Sequence, residues 1–145
     1  MKKLLTLSLF GLALTMNGCK ESGCTDTFAD NYVATAELED GSCYYGIDLV
    51  FYFNEARADY YYDNDAYSPM HVVINDTDVG AVNWYFPYED APTCNETVGT
   101  VNHKIELSSK IENIKVEIVD QLGNSFGSEI ITLALSDGDC QAILF

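Results

Sequence analysis

Residues 101–118 read VNHKIELSSKIENIKVEI. Val101, His103, Ile105 and Leu107 alternate with Asn102, Lys104 and Glu106, and Ile114, Val116 and Ile118 alternate with Lys115 and Glu117. Successive side chains of an extended chain point to opposite faces, so a period of two places the apolar set on the inner face of a half-buried strand. The same pattern sets Leu49, Phe51 and Phe53 against Val50 and Tyr52, then Val82, Trp84 and Phe86 against Asn83 and Tyr85. Ile131, Leu133 and Leu135 alternate with Thr132 and Ala134, and the chain closes on Ala142-Ile143-Leu144-Phe145. Between these runs Asn75-Asp76, Asp78 with Gly80, Leu122-Gly123-Asn124 and Asp137-Gly138-Asp139 carry residues that supply positive φ or bond their own backbone, which is turn chemistry.

About seven short strands in residues 46–145, with no pattern sustaining a helix of three turns, predict an all-β fold: an antiparallel β-sandwich of immunoglobulin-like or prealbumin-like type. The whole chain carries 23 acidic and 7 basic residues, a net charge of −16, yet 48% of it is hydrophobic and 12% aromatic. That balance describes a folded acidic protein rather than a disordered acidic tail. Lys2 and Lys3 precede an apolar run, Leu4 to Met16, too short to span a bilayer and suited to the core of a signal peptide covering residues 1–18. Its removal takes two lysines and no acids, leaving 23 acidic against 5 basic residues and a charge of −18. Such a field disfavours nucleic acid and anionic headgroups and attracts divalent cations or basic protein surfaces.

Met16-Asn17-Gly18-Cys19 resembles the lipobox of bacterial lipoproteins, with Met16 and Asn17 standing where that motif usually has Leu and Ala or Ser. The resemblance implies a lipid on Cys19 and hence a membrane partner through the anchor. Five cysteines leave one unpaired in an oxidising compartment, and assigning Cys19 to lipid leaves an even four. Cys24, Cys43, Cys94 and Cys140 allow three pairings; the sequence-local one, Cys24 with Cys43 and Cys94 with Cys140, is the one expected, and loops of these lengths are stabilised by about 3 and about 4 kcal/mol. Residues 19–22 form a tether, and the extended chain from Cys19 to Cys24 reaches only about 20 Å. Lys20-Glu21 resembles the short Lys/acidic signals that send Bacteroidetes lipoproteins to the outer face of the outer membrane, implying an outer-membrane lipoprotein at the cell surface, with the periplasmic face as the alternative.

Residues 23–45 read GCTDTFADNYVATAELEDGSCYY, with turn residues and a cysteine near each end and too few apolar residues for a core. The segment resembles the GCTD-x-x-A-x-NY-x-x-x-A-x-x-DDGSC-x-Y motif of secreted and cell-surface Bacteroidetes proteins. Gly23-Cys24-Thr25-Asp26, Ala29, Asn31-Tyr32, Ala36, Asp40-Gly41-Ser42-Cys43 and Tyr45 fall in register; many copies carry a further cysteine where this chain has Asp30, which fits a single local disulfide. Residues 46–145 are similar to small Bacteroidetes lipoprotein domains of unknown function through Val72-Val73-Ile74-Asn75, Val79-Gly80, Ala91-Pro92-x-Cys94, Gly99-Thr100-Val101 and Gly138-x-Cys140. In those domains the Pro-x-Cys loop pairs with a cysteine before the last strand.

Catalysis needs a nucleophile, a base and an orienting group in one pocket, or three to four metal ligands. His71 and His103 are the two histidines; His103 sits on the inward phase of its strand as a core histidine would, and no G-x-S-x-G, H-E-x-x-H or phosphate loop occurs. A non-enzyme is expected. Two aromatic runs, Trp84-Tyr85-Phe86-Pro87-Tyr88 and Tyr60-Tyr61-Tyr62 with Tyr67, offer rings on which a sugar stacks; read as strands they keep some rings outside, so Trp84, Tyr85, Tyr88 and Tyr61 are the candidate ligand-binding residues. Asp26, Asp30, Asn31 and Asp40 offer hard oxygens within one stapled loop, a candidate Ca²⁺ site; no other cofactor is implied. The chain therefore reads as a non-catalytic binding or structural module with a glycan or protein partner. The alternatives are a carbohydrate-binding accessory of a glycan-degrading system and a degenerate enzyme accessory domain.

Overall fold

The computed structural model describes residues 20–135 and 140–145; the expected signal peptide, Cys19 and the Asp137-Gly138-Asp139 turn lie outside the described residues. Strands β1 (Ser22–Gly23) and β2 (Leu38–Glu39) pair in parallel within the N-terminal module. There follow β3 (Tyr45–Tyr52), helix α1 (Glu55–Asp63), β4 (Met70–Ile74), β5 (Thr77–Val82), β6 (Thr100–Leu107), β7 (Ile111–Val119), β8 (Ser125–Ala134) and β9 (Cys140–Leu144). One sheet runs β6-β3-β9 and the other β5-β4-β7-β8, and the two enclose a single core as an all-β sandwich.

The alternation converts directly into sheet faces. Val101, His103, Ile105 and Leu107 of β6 stand opposite Phe51, Leu49, Ile47 and Tyr45 of β3, so the inward phases of two strands coincide. Val72 and Ile74 of β4 face Ile118 and Val116 of β7, and Ile114 faces Ile131 of β8. Ile47, Leu49, Phe51, Met70, Val72, Ile114 and Leu133 are essentially inaccessible to water, and each such side chain stabilises the fold by roughly 1.5–3 kcal/mol. The Asn75-Asp76 turn joins β4 to β5 with Ile74 opposite Thr77, both turn residues at positive φ, which is the hairpin geometry those residue types favour.

Three features depart from the sequence expectation. First, β9 pairs with β3 in parallel, so the three-stranded sheet is mixed; the chain reaches β9 from β8 in the other sheet, and no hairpin dictates its direction. Second, β5 ends at Val82 and the Trp84–Phe86 segment is a turn closed by Phe86 N–H donating to Asn83 O at 3.4 Å, not a strand. Third, Tyr60-Tyr61-Tyr62 lies in α1, about two and a half turns long, rather than in a strand. Asn54 caps that helix, its side chain accepting from Arg57 N–H at 2.9 Å, and Glu55 adds a favourable charge to the first turn.

Strand β3 is buried on both faces over Leu49–Phe51, whereas Asp48 on its outer face is exposed, so Val50 is inaccessible although it is out of phase with Leu49 and Phe51. The segment 83–99 covers that outer face. It is held by the Cys94–Cys140 disulfide, by Cys94 Sγ lying 3.2 Å from Asp48 O, by Tyr88 N–H donating to Phe53 O at 2.8 Å, and by Thr100 and Asn102 side chains donating to Glu96 O. The second disulfide, Cys24–Cys43, ties the N-terminal module, and Cys24 and Ala29 belong to the same buried cluster as the sandwich.

Candidate functional site

A helix and a turn bring the aromatic residues together at one end of the sandwich. In α1, residues three apart share a face, so Ala58 and Tyr61 turn inward while Tyr60 and Tyr62 face water. Tyr62, 71% exposed, meets Trp84 edge-on with ring centres 6.2 Å apart. Trp84 is only 6% exposed and underlies Tyr85, 62% exposed, at 4.2 Å with the rings tilted by 39°. Exposed Tyr67 is positioned from the β7–β8 turn: its N–H donates to buried Asp120 and its carbonyl accepts from Gln121 N–H at 3.1 Å.

Two grooves flank this ridge. One of about 380 Å³ is lined by Glu55, Ala58, Asp59, Tyr62, Trp84, Tyr85 and Pro87. The other, about 240 Å³, is lined by Tyr62, Asp65, Ala66, Tyr67, Trp84 and Tyr85. Their linings combine aromatic rings with carboxylates and include no basic side chain. The indole Nε1–H of Trp84 is buried without an acceptor, an arrangement a folded protein normally avoids because an unmade hydrogen bond costs about 1–3 kcal/mol.

Of the four residues expected to bind a ligand, Trp84 and Tyr85 are in this surface. Tyr61 is not: 2% exposed, it packs edge-on against Phe53 and Phe126 and plugs the end of the core, because helical rather than strand geometry sets its direction. That burial pushes its phenol pKa up. Tyr88 is half-buried and serves the loop, packing on Tyr52 and bonding Val98 O. Tyr62, a member of the aromatic run singled out in the sequence, completes the surface with Tyr67 and Asp65; Glu55 and Asp59, which line the same grooves, escaped the sequence reading. The capping pattern Asn54-Glu55 ahead of Ala56 and Ala58 was the signal that would have put Tyr62 on a helix face.

A separate small cleft of about 160 Å³ lies where β8 and β9 present unpaired edges, lined by core side chains such as Phe126, Ile131 and Phe145 with Arg57 and Glu129 beside them.

The candidate calcium residues take separate partners. Asp26 accepts from Lys110 Nζ at 2.7 Å, Phe28 N–H at 3.0 Å and the Tyr45 hydroxyl at 2.8 Å; these bonds, led by that to Lys110, hold its pKa down to about 2. Asp30 pairs with Lys104 at 3.4 Å across Gly46, where a Cβ would come within 2.6 Å of the carboxylate. Asp40 accepts from Ser42 N–H, and Asn31 bridges Ser42 O and Tyr44 N–H. Lysines of the sandwich thus pair with two of the four candidate ligands, Asp26 and Asp30. The metal-ligand types that do converge, Cys24, Glu39 and Cys43, include the two sulfurs bonded to each other.

His71 bonds Asp78 at 2.8 Å on the outer face of the β4–β5 hairpin, whereas His103 faces inward on the other sheet, so the two histidines are not brought together. No family model, curated protein or solved structure matches the chain.

Proposed function

We propose that the chain is a non-catalytic binding module displayed at the outer membrane through a lipid on Cys19, and that its ligand seats on the Tyr62–Trp84–Tyr85 surface. The observation that carries this reading is convergence: side chains from α1, from the Trp84 turn and from the segment before β4 meet on one face and leave two adjoining grooves. The two disulfides support an extracytoplasmic address. Strand order supports the prealbumin-like form of the sandwich over the immunoglobulin-like one. In constant immunoglobulin domains the first two strands share a sheet, whereas β3 and β4 belong to different sheets here.

Trp84 is the single tryptophan of the chain, so its emission reports on this surface alone. Titrating the mature chain with a panel of neutral oligosaccharides and basic peptides should produce a saturable emission change with one of the two classes. The change should be lost in Tyr62→Ala/Tyr85→Ala while the melting temperature is retained. A panel that leaves the emission untouched would assign the surface a purely structural role.

A further inference from the structure

We propose that the two grooves accept lysine or arginine side chains from a basic segment of a partner protein; this rests on the reading of the Trp84 surface as the ligand site and names what it binds. The lining chemistry is the first argument. Glu55 and Asp59 stand in one groove and Asp65 in the other, each beside the Tyr62, Trp84 and Tyr85 rings, with no basic side chain in either lining to neutralise them. A carboxylate next to an aromatic face is a receptor for a cation, which gains both the ion pair and the ring quadrupole.

Ring geometry is the second. A pyranose stacks on a flat platform, but Trp84 and Tyr85 are tilted by 39° and Tyr62 stands at 69° to Trp84. Rings at such angles form walls rather than a floor, and walls suit a narrow alkyl-ammonium or guanidinium arm. Because both grooves abut the same three rings, an extended segment crossing the ridge would place one basic side chain on each side, as alternate residues of a strand project to the same face.

The third argument is the whole-molecule field. At −16, the chain draws cationic partners toward it and accelerates their encounter, an advantage that falls with salt.

The test uses the mature chain, Trp84 emission and the peptide acetyl-Lys-Ala-Lys-Ala-Lys-amide at fixed ionic strength. Saturable binding is expected, with at least a tenfold loss of affinity in Asp59→Asn/Asp65→Asn and no response to the same peptide carrying Gln for Lys. The charge-matched control Glu106→Gln/Glu129→Gln, away from the grooves, should bind as the parent does. Equal weakening in that control would show diffuse attraction to an acidic protein and overturn the proposal. So would binding of the Gln peptide, or of maltohexaose in its place; if Tyr62→Ala/Tyr85→Ala abolishes that neutral binding, the surface stands as a ligand site and only its assignment to cations falls.

Discussion

Replacing Cys94 and Cys140 together by alanine tests how the outer face of β3 is kept covered. The staple closes a loop with a sequence separation of 46, against 19 for Cys24–Cys43. Loop-closure entropy removed from the unfolded chain then amounts to about 4 kcal/mol for the longer loop and about 3 kcal/mol for the shorter. The difference, roughly 0.8 kcal/mol, depends only on the logarithm of loop length. With a urea dependence of about 2 kcal/mol/M for a domain of this size, the Cys94→Ala/Cys140→Ala midpoint should fall by about 2 M. That is a large share of the roughly 5–15 kcal/mol by which such domains are stable. Equilibrium urea unfolding followed by Trp84 emission, without reductant, measures it. Hydrogen exchange should also show the Tyr88 amide, bonded to Phe53 O in the parent, losing protection along with the Val50 stretch beneath the loop. A midpoint loss no greater than that of Cys24→Ala/Cys43→Ala would refute the loop-length argument.

Neighbouring tyrosines of α1 should separate sharply: Tyr61→Ala, which empties the site between Phe53 and Phe126, should cost about 3–5 kcal/mol in thermal or urea unfolding, while Tyr62→Ala should stay within about 0.5 kcal/mol. Asp26 has a depressed folded pKa of about 2, so its contribution to stability is fully present above the ordinary carboxylate pKa of about 4 and is lost as pH falls through about 2. Asp26→Asn should therefore flatten the unfolding midpoint against pH across that window, and an unchanged slope would remove Lys110–Asp26 as its origin. Cys19→Ala expressed in a bacterial host should abolish fatty-acid labelling and release the protein from the membrane fraction; persistent labelling would show the anchor to lie elsewhere.

Which residues face inward was legible before any coordinates, because the two-residue period of β6 and β7 depends only on the local geometry of an extended backbone. The Asn75-Asp76 hairpin was equally local, and of the three cysteine pairings the expected one, Cys24 with Cys43 and Cys94 with Cys140, is the one formed. Val50, Tyr61 and Trp84 behaved differently. Val50 looked like a solvated position and is buried because a segment forty residues downstream is stapled across it. Tyr61 and Tyr62 exchange roles between strand and helix, and a run of three tyrosines carries no period to choose between them; Asn54 and the packing of Tyr61 against Phe53 and Phe126 made the choice. Residues 55–67 and 84–87 are separated by β4 and β5, so nothing in their spacing announced that they share a surface. Sequence alone determined the strands that carry a clear two-residue period, β6, β7 and β8, with their inner faces, and the Asn75-Asp76 turn, all of which are decided within a few residues. Tertiary structure alone decided the direction of β9, the second cover over β3 and the grooves around Trp84, because each depends on contacts between segments far apart in the chain, which no local period encodes.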